Sequence, residues 1–123
     1  MFDYKHAVIY QIWPRSFQDS NHDGIGDLNG IRSRLSHIRS LGASAIWLSP
    51  VYASPNTDYG YDISDYYSIN PEYGTMEELE ALIKEAREAG MEIVMDLVVN
   101  HTSTEHRWFR EALNDPSSPY RDY

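Results

Sequence analysis

The chain has 123 residues, with 19 acidic against 10 basic side chains and a formal net charge of −9. At 41 % hydrophobic and 24 % charged it has the composition of a soluble globular protein with one modest core, not of a disordered chain. The acidic balance argues against a nucleic-acid surface, and the absence of Cys excludes disulfides, thiolate zinc sites and Cys nucleophiles.

The first eight residues, MFDYKHAV, lack the basic-then-apolar pattern of a secretory leader. The longest apolar runs, at 45–48 and 93–99, are far too short to span a bilayer, so a cytoplasmic protein with no membrane partner is expected. Val8 to Ile12 is a short β-branched and aromatic run that predicts a strand. A loop rich in Asp, Asn and Gly follows from Arg15 to Asp27. Leu28, Ile31, Leu35, Ile38 and Leu41 then recur at steps of three and four and predict one helix, closed by Gly42. Ala45 to Leu48 reads as a second strand, stopped by Pro50. The segment from Tyr52 to Tyr73 reads as a second long loop. Thr75 and Glu78 form a capping-box pair ahead of a helix with Met76, Leu79, Leu82, Ile83 and Ala86 inward, ended by Gly90. Glu92 to Val99 is apolar at nearly every position and predicts a third strand buried on both faces. The final stretch, DPSSPYRDY, is polar and turn-rich.

This β-α-β-α-β order requires a parallel α/β sheet, whose ligands bind at the carboxyl ends of the strands. Three motifs fall on loops at that edge. In the first, Asp19, Asn21, Asp23 and Asp27 place oxygen side chains at alternating positions, and the carbonyl of Ile25 is a further donor. The spacing opens like an EF-hand loop, yet Gly30 stands where the twelfth-position Glu belongs and no helix precedes it. The loop is either a solvated series of Asx turns or a cation site; carboxylates this close repel without a partner, which favours bound Ca²⁺ or Mg²⁺. In the second, Asp96 lies within an apolar strand with Asn100 and His101 just after it. Each alone has a structural reading, as a hydrogen-bond hub or a packed His, but together they favour a site. In the third, Asp58-Tyr59-Gly60-Tyr61-Asp62 mixes carboxylates with Tyr rings, which suits a polyol: carboxylates accept from hydroxyls and a ring face covers a sugar. Tyr66 and Tyr67 read instead as packing residues.

IYQIWPRSF (9–17), DSNHDGIGDLNGI (19–31), IWLSPVYASPNTDYGYDISDY (46–66) and DLVVNHTS (96–103), in this order, resemble the N-terminal region of the α-amylase superfamily of glycoside hydrolases. The resemblance is strongest to its group of oligo-1,6-glucosidases, trehalose-6-phosphate hydrolases, dextran glucosidases and sucrose isomerases. It implies a (β/α)₈ barrel of which residues 1–102 supply the first three strands and two helices, truncated after the third strand, while residues 103–123 begin the insertion that follows it. It implies a structural metal on Asp19, Asn21, Asp23, Ile25 and Asp27. It implies a terminal-glucose pocket lined by Asp58, Tyr61 and His101, with Asp96 and Asn100 as structural residues beside it. The expected activity of the whole protein is retaining, exo-acting hydrolysis of a terminal α-linked glucose from a short oligosaccharide, by an enzyme monomeric at full length. The resemblance puts the nucleophile and the acid/base beyond residue 123, so the chain alone is expected to be inactive and to need the rest of its own barrel. Sucrose isomerisation or transglycosylation within the superfamily, and a non-catalytic metal- or carbohydrate-binding module, are the alternatives.

Overall fold

The computed structural model describes residues 3–123; Met1 and Phe2, part of the stretch read for a leader, lie outside the described residues. In chain order the elements are β1 (Ile9–Ile12), α1 (Pro14–Phe17), α2 (Leu28–Ser33), α3 (Leu35–Ser40), β2 (Ala45–Leu48), β3 (Tyr52–Ala53), β4 (Asp65–Ile69), α4 (Met76–Glu88), β5 (Glu92–Met95) and α5 (Arg107–Asn114). β1, β2 and β5 form one parallel sheet in that order, with Ile12, Leu48 and Met95 in register at its carboxyl edge. The sheet is therefore the β-α-β-α-β arrangement that the strand and helix pattern predicts.

Side chains alternate across a strand, so one row of residues faces the helices and the next faces away. Ile12, Ile46 and Leu48 pack under Leu28, Ile31, Ile38, Leu82 and Ala86 to form the core. The opposite row, Gln11, Trp47 and Val94, lies side by side in register and is exposed. In a closed barrel that row would face the interior.

The third strand differs from expectation. It ends at Met95, four residues before Val99, because its partner β2 ends at Leu48 and is followed by Ser49 and Pro50. A ladder cannot continue without a partner strand, and Pro50 has no N–H to offer one. β5 is also not buried on both faces: Val94 is part of the bare row, and Leu97 and Val99 beyond it are largely exposed. Asp96 thus follows the strand instead of lying within it.

The apolar stripe predicted as one helix is carried by two. Arg34 leaves helical geometry, at φ −112° and ψ 6°, and its guanidinium reaches back to Gln18 Oε1 at 2.9 Å. Leu28, Ile31, Leu35 and Ile38 remain buried across the break, but Leu41 is exposed. The segment 52–73 is not all loop, since β3 and β4 pair antiparallel within it. Two further elements are absent from the predicted order: α1, at four residues, is too short to show a period, whereas α5 carries one, with Trp108, Phe109, Ala112 and Leu113 on one face.

α4 forms as expected. Thr75 Oγ1 accepts from the Glu78 amide at 3.3 Å, and Glu78 Oε2 accepts from the Thr75 amide at 2.9 Å. Leu79, Leu82 and Ala86 are buried and Ile83 partly so, whereas Met76 in the first turn is exposed. Polar pairs fix α4 against α2: Arg32 holds Glu85 through two hydrogen bonds, and Asn29 donates to Glu78 Oε1 at 2.6 Å. Among the described residues no helix is long and apolar enough to cross a membrane.

Candidate functional site

The carboxyl edge of the sheet gathers the side chains that carry chemistry. Asp96, one residue past β5, is half-buried and accepts two hydrogen bonds. The Trp47 indole donates to Oδ1 at 2.6 Å, and the Tyr61 hydroxyl donates to Oδ2 at 2.8 Å. A third donor, the Tyr52 hydroxyl, bonds the Asp96 carbonyl at 3.0 Å. The cost of removing the carboxylate from water is thus met by donors that β2 and the loop after β3 supply, while β3 holds the Asp96 backbone.

That loop is organised around Asp62. Its carboxylate accepts from Ser54 Oγ at 2.9 Å and from the Thr57 and Asp58 amides at 3.0 Å each. Burial works to raise the Asp62 carboxyl, but these donors outweigh it and hold it below the usual range. The chain turns through positive φ at Asn56, Tyr59 and Gly60, and the Tyr61 amide bonds the Asp58 carbonyl at 3.1 Å. Asp58 and Tyr61 therefore share one turn, with the Asp58 side chain exposed. The Tyr61 hydroxyl is held above its usual range by burial and by its hydrogen bond to Asp96, with a smaller contribution from the charge of Asp58. It stays protonated and donates.

His101 Nε2 lies 2.9 Å from the Tyr61 carbonyl. A carbonyl only accepts, so Nε2 carries the hydrogen and the Nδ1 of a neutral ring keeps its lone pair. The backbone before His101 is held by Tyr66, whose hydroxyl lies 2.7 Å from the Val98 carbonyl and 2.9 Å from that of His101. Asp58, Tyr61, Asp96 and His101 are thus brought together. Asn100 makes no hydrogen bond to them: it is exposed, and with His101 it borders an apolar cleft of about 730 Å³ lined also by Tyr66, Trp108 and Tyr120. Trp47 and Tyr52 are the site residues that the sequence reading missed. The signal for Trp47 was its phase in β2, on the row facing away from the helices.

The loop 19–27 folds as a set of nested turns. The Asp19 carboxylate accepts from the amides of Asn21, His22 and Gly24 at 2.7–3.1 Å, and these backbone donors, Gly24 foremost, hold it below the usual carboxylate range. Asn21 Oδ1 accepts from the Asp23 amide and Asp23 Oδ1 from that of Ile25. Asp27 is buried, caps α2 through the Gly30 amide at 2.6 Å and accepts from Ser20 at 2.9 Å. Among the described residues no three carboxylate or imidazole side chains converge on one point. A cation here would therefore draw on the Asn21 amide oxygen and the Ile25 carbonyl as well as carboxylates. An ionised, all-oxygen donor set of this kind fits a hard divalent ion.

Helix α5 starts from an unusual cap. His106 is buried, and its Nδ1 accepts from the Trp108 amide at 3.1 Å. Burial holds its pKa below the ordinary value near 6.5, seconded by Arg107 and opposed by Asp65. Only the neutral ring can cap, so the cap's contribution is complete above about pH 6.5 and is lost as the pH falls through the depressed native value. Protection factors of the α5 amides, the exchange rates corrected for the intrinsic pH dependence of exchange, should fall between pH 7.5 and pH 5. In H106N, where the Asn oxygen caps without titrating, that fall should vanish. Equal pH dependence in both proteins would refute the assignment.

Residues 11–123 match the family described as "Alpha amylase, catalytic domain". Over 120 residues the chain is 58 % identical to a trehalose-6-phosphate hydrolase of Bacillus subtilis, covering 98 % of this chain and 21 % of that protein. It is equally similar, at 58 % over 120 residues, to an oligo-1,6-glucosidase of Bacillus cereus, covering 98 % of this chain and 22 % of the other. Among solved structures, the isomaltulose synthase of Klebsiella sp. LX3 superposes with a TM-score of 0.94 at 54 % identity, over 97 % of this chain and 21 % of that one. The chain spans about a fifth of the length of the relatives it matches.

Proposed function

The chain belongs to the alpha-amylase family, its sheet being the first three strands of that family's barrel, and we propose that the whole protein is a retaining α-glucosidase releasing terminal, non-reducing α-linked glucose from short oligosaccharides. The observation that carries this reading is the convergence of Asp58, Tyr61 and His101 on one edge, with Tyr61 bonded both to Asp96 and to His101. The hydrolase names of the B. subtilis and B. cereus relatives support the substrate class.

In this reading Asp58 accepts from glucose hydroxyls, the Tyr61 ring covers the apolar face of the sugar, and the free Nδ1 of His101 accepts from a hydroxyl. Asp96 orients Tyr61 and takes no part in bond cleavage. The nucleophile and the acid/base come from later strands, so residues 1–123 alone turn over nothing. The cytoplasm is the proposed compartment, which agrees with a chain that has no Cys to oxidise. The test is release of glucose from isomaltose, trehalose 6-phosphate or sucrose by the full-length protein. Failure on every α-glucoside would sink the reading, and a disaccharide product from sucrose would replace it with isomerisation.

The reading includes a structural Ca²⁺ or Mg²⁺ held by Asp19, Asn21, Asp23, the Ile25 carbonyl and Asp27. Bound there, the ion neutralises the loop's carboxylates and ties the loop to the start of α2. Saturating Ca²⁺ at about a hundred times its Kd should stabilise the metal-stripped full-length protein by about 2.7 kcal/mol, raising Tm by about 2 °C at the relatives' length. An identical Tm in excess Ca²⁺ and in chelator would exclude the site.

A further inference from the structure

The indole of Trp47 is given no part in the proposed reaction, yet it makes one of the shortest hydrogen bonds at the site, 2.6 Å to Asp96 Oδ1. We propose that Trp47 is a positioning residue, acting through Asp96 on the orientation of Tyr61; this rests on the reading of Tyr61 as a sugar-binding side chain.

The geometry gives the relay its direction. Trp47 is fixed by the sheet: β2 is the central strand, paired in register with Gln11 on one side and Val94 on the other. Its neighbours Ile46 and Leu48 are fully buried, so the strand cannot rotate to move the ring. Asp96 has left the ladder at Met95 and has no such constraint from its own strand. Its backbone is held by Tyr52, but its carboxylate orientation is set by its two side-chain donors. The indole N–H is a single donor of fixed direction, so it fixes the rotation of the carboxylate plane. With Oδ1 engaged by Trp47, Oδ2 is the oxygen presented to the Tyr61 hydroxyl. Tyr61 is itself exposed, on a loop, and its ring would otherwise be free to turn about its side-chain torsions. A rigid strand thus sets the orientation of a loop side chain through one carboxylate. The His101 imidazole reads the same loop from the other side, through the Tyr61 carbonyl, and leaves the ring orientation to Asp96 and to the buried Ser49 hydroxyl beside it.

The variant W47F removes the donor and keeps an aromatic body on the bare face of the sheet. In the full-length protein it should lower kcat/KM on a terminal α-glucoside about tenfold, chiefly through KM, the scale set by one hydrogen bond to a charged acceptor. The loss from Y61F should be similar. Because both act on one geometry, the W47F/Y61F double variant should fall no more than about twofold below Y61F alone. A merely structural role for Trp47 would instead give multiplied losses with kcat falling, and either multiplied losses or an unchanged W47F would overturn the proposal. The ¹⁵N-indole resonance of Trp47 gives a readout independent of turnover. It should shift in D96N, and in Y61F, where only the far side of the carboxylate is altered. If the wild-type protein hydrolyses no glucoside while these shifts appear, the functional reading fails and the relay stands. If the protein is active but the Trp47 resonance ignores Y61F, the relay fails and the function stands.

Discussion

Asp96→Ala in the full-length protein should lower kcat/KM on a terminal α-glucoside by at least about 10²-fold, although in the proposed reaction Asp96 neither attacks nor protonates the substrate. The substitution leaves the Trp47 indole and the Tyr61 hydroxyl without their common acceptor. Loss of the Tyr61 orientation alone costs about tenfold, as in Y61F; D96A also leaves both donors unpaired around the space of the missing carboxylate, a penalty that W47F and Y61F avoid by removing the donor itself, and the total reaches about 2.7 kcal/mol. Asp96→Asn should fall between the wild type and the alanine variant. Its amide retains one acceptor oxygen but turns an N–H toward the other donor. Steady-state kinetics with a thermal melt of each variant decides the matter: activity of D96A within threefold of wild type would show that the carboxylate organises nothing the reaction needs. A collapse of Tm in D96A but not in D96N would move its role from site geometry to folding.

Gly30→Ala carries the largest expected loss of stability. A Cβ at Gly30 would lie 1.9 Å from the Gln18 carbonyl oxygen and 2.7 Å from its carbon. Both are backbone atoms, and that carbonyl already accepts from the Asp27 amide at 3.0 Å, so it cannot simply turn aside. Relief requires α2 to move off the end of the 19–27 loop, which also opens the Asp27 cap on the Gly30 amide. Overpacking against backbone with loss of a cap should cost about 3 kcal/mol or more. Gly42→Ala is the control. Its Cβ would meet nothing, and only the strain of φ +85° remains, about 1–2 kcal/mol. Denaturation midpoints would decide, and a G30A variant as stable as G42A would refute the packing argument.

What could be read along the chain was what neighbouring residues decide. The Thr75–Glu78 box is closed within three residues, and Gly42 and Gly90 end their helices at positive φ. The Asp58–Tyr61 turn is likewise local, and its meeting with His101 followed from the rule that loops after parallel strands share an edge. What escaped was set by partners far away in sequence. The hairpin of β3 and β4 has a first strand of two residues, too short to show alternation. The third strand's length was decided by where β2 stops, 47 positions earlier in register. Trp47 and Asp96 are 49 residues apart, and nothing in AIWL announces that its indole will meet a carboxylate. His106 was missed for a different reason, since a neutral imidazole acceptor is not among the side chains that usually begin a helix.

The bare row of Gln11, Trp47 and Val94 bears on how such a protein is made. Synthesis runs from the N-terminus, and at about 5–20 residues per second a chain as long as these relatives needs on the order of tens of seconds more after this segment has emerged. A sheet formed in that interval would present open hydrogen-bonding edges at β1 and β5, and an indole and aliphatic side chains, to solvent. The interior of the future barrel is for that time the outside of a nascent chain. A ribosome-associated chaperone that recognises exposed aromatic and aliphatic surface would find its substrate here, and a rare-codon pause just downstream would lengthen the exposure.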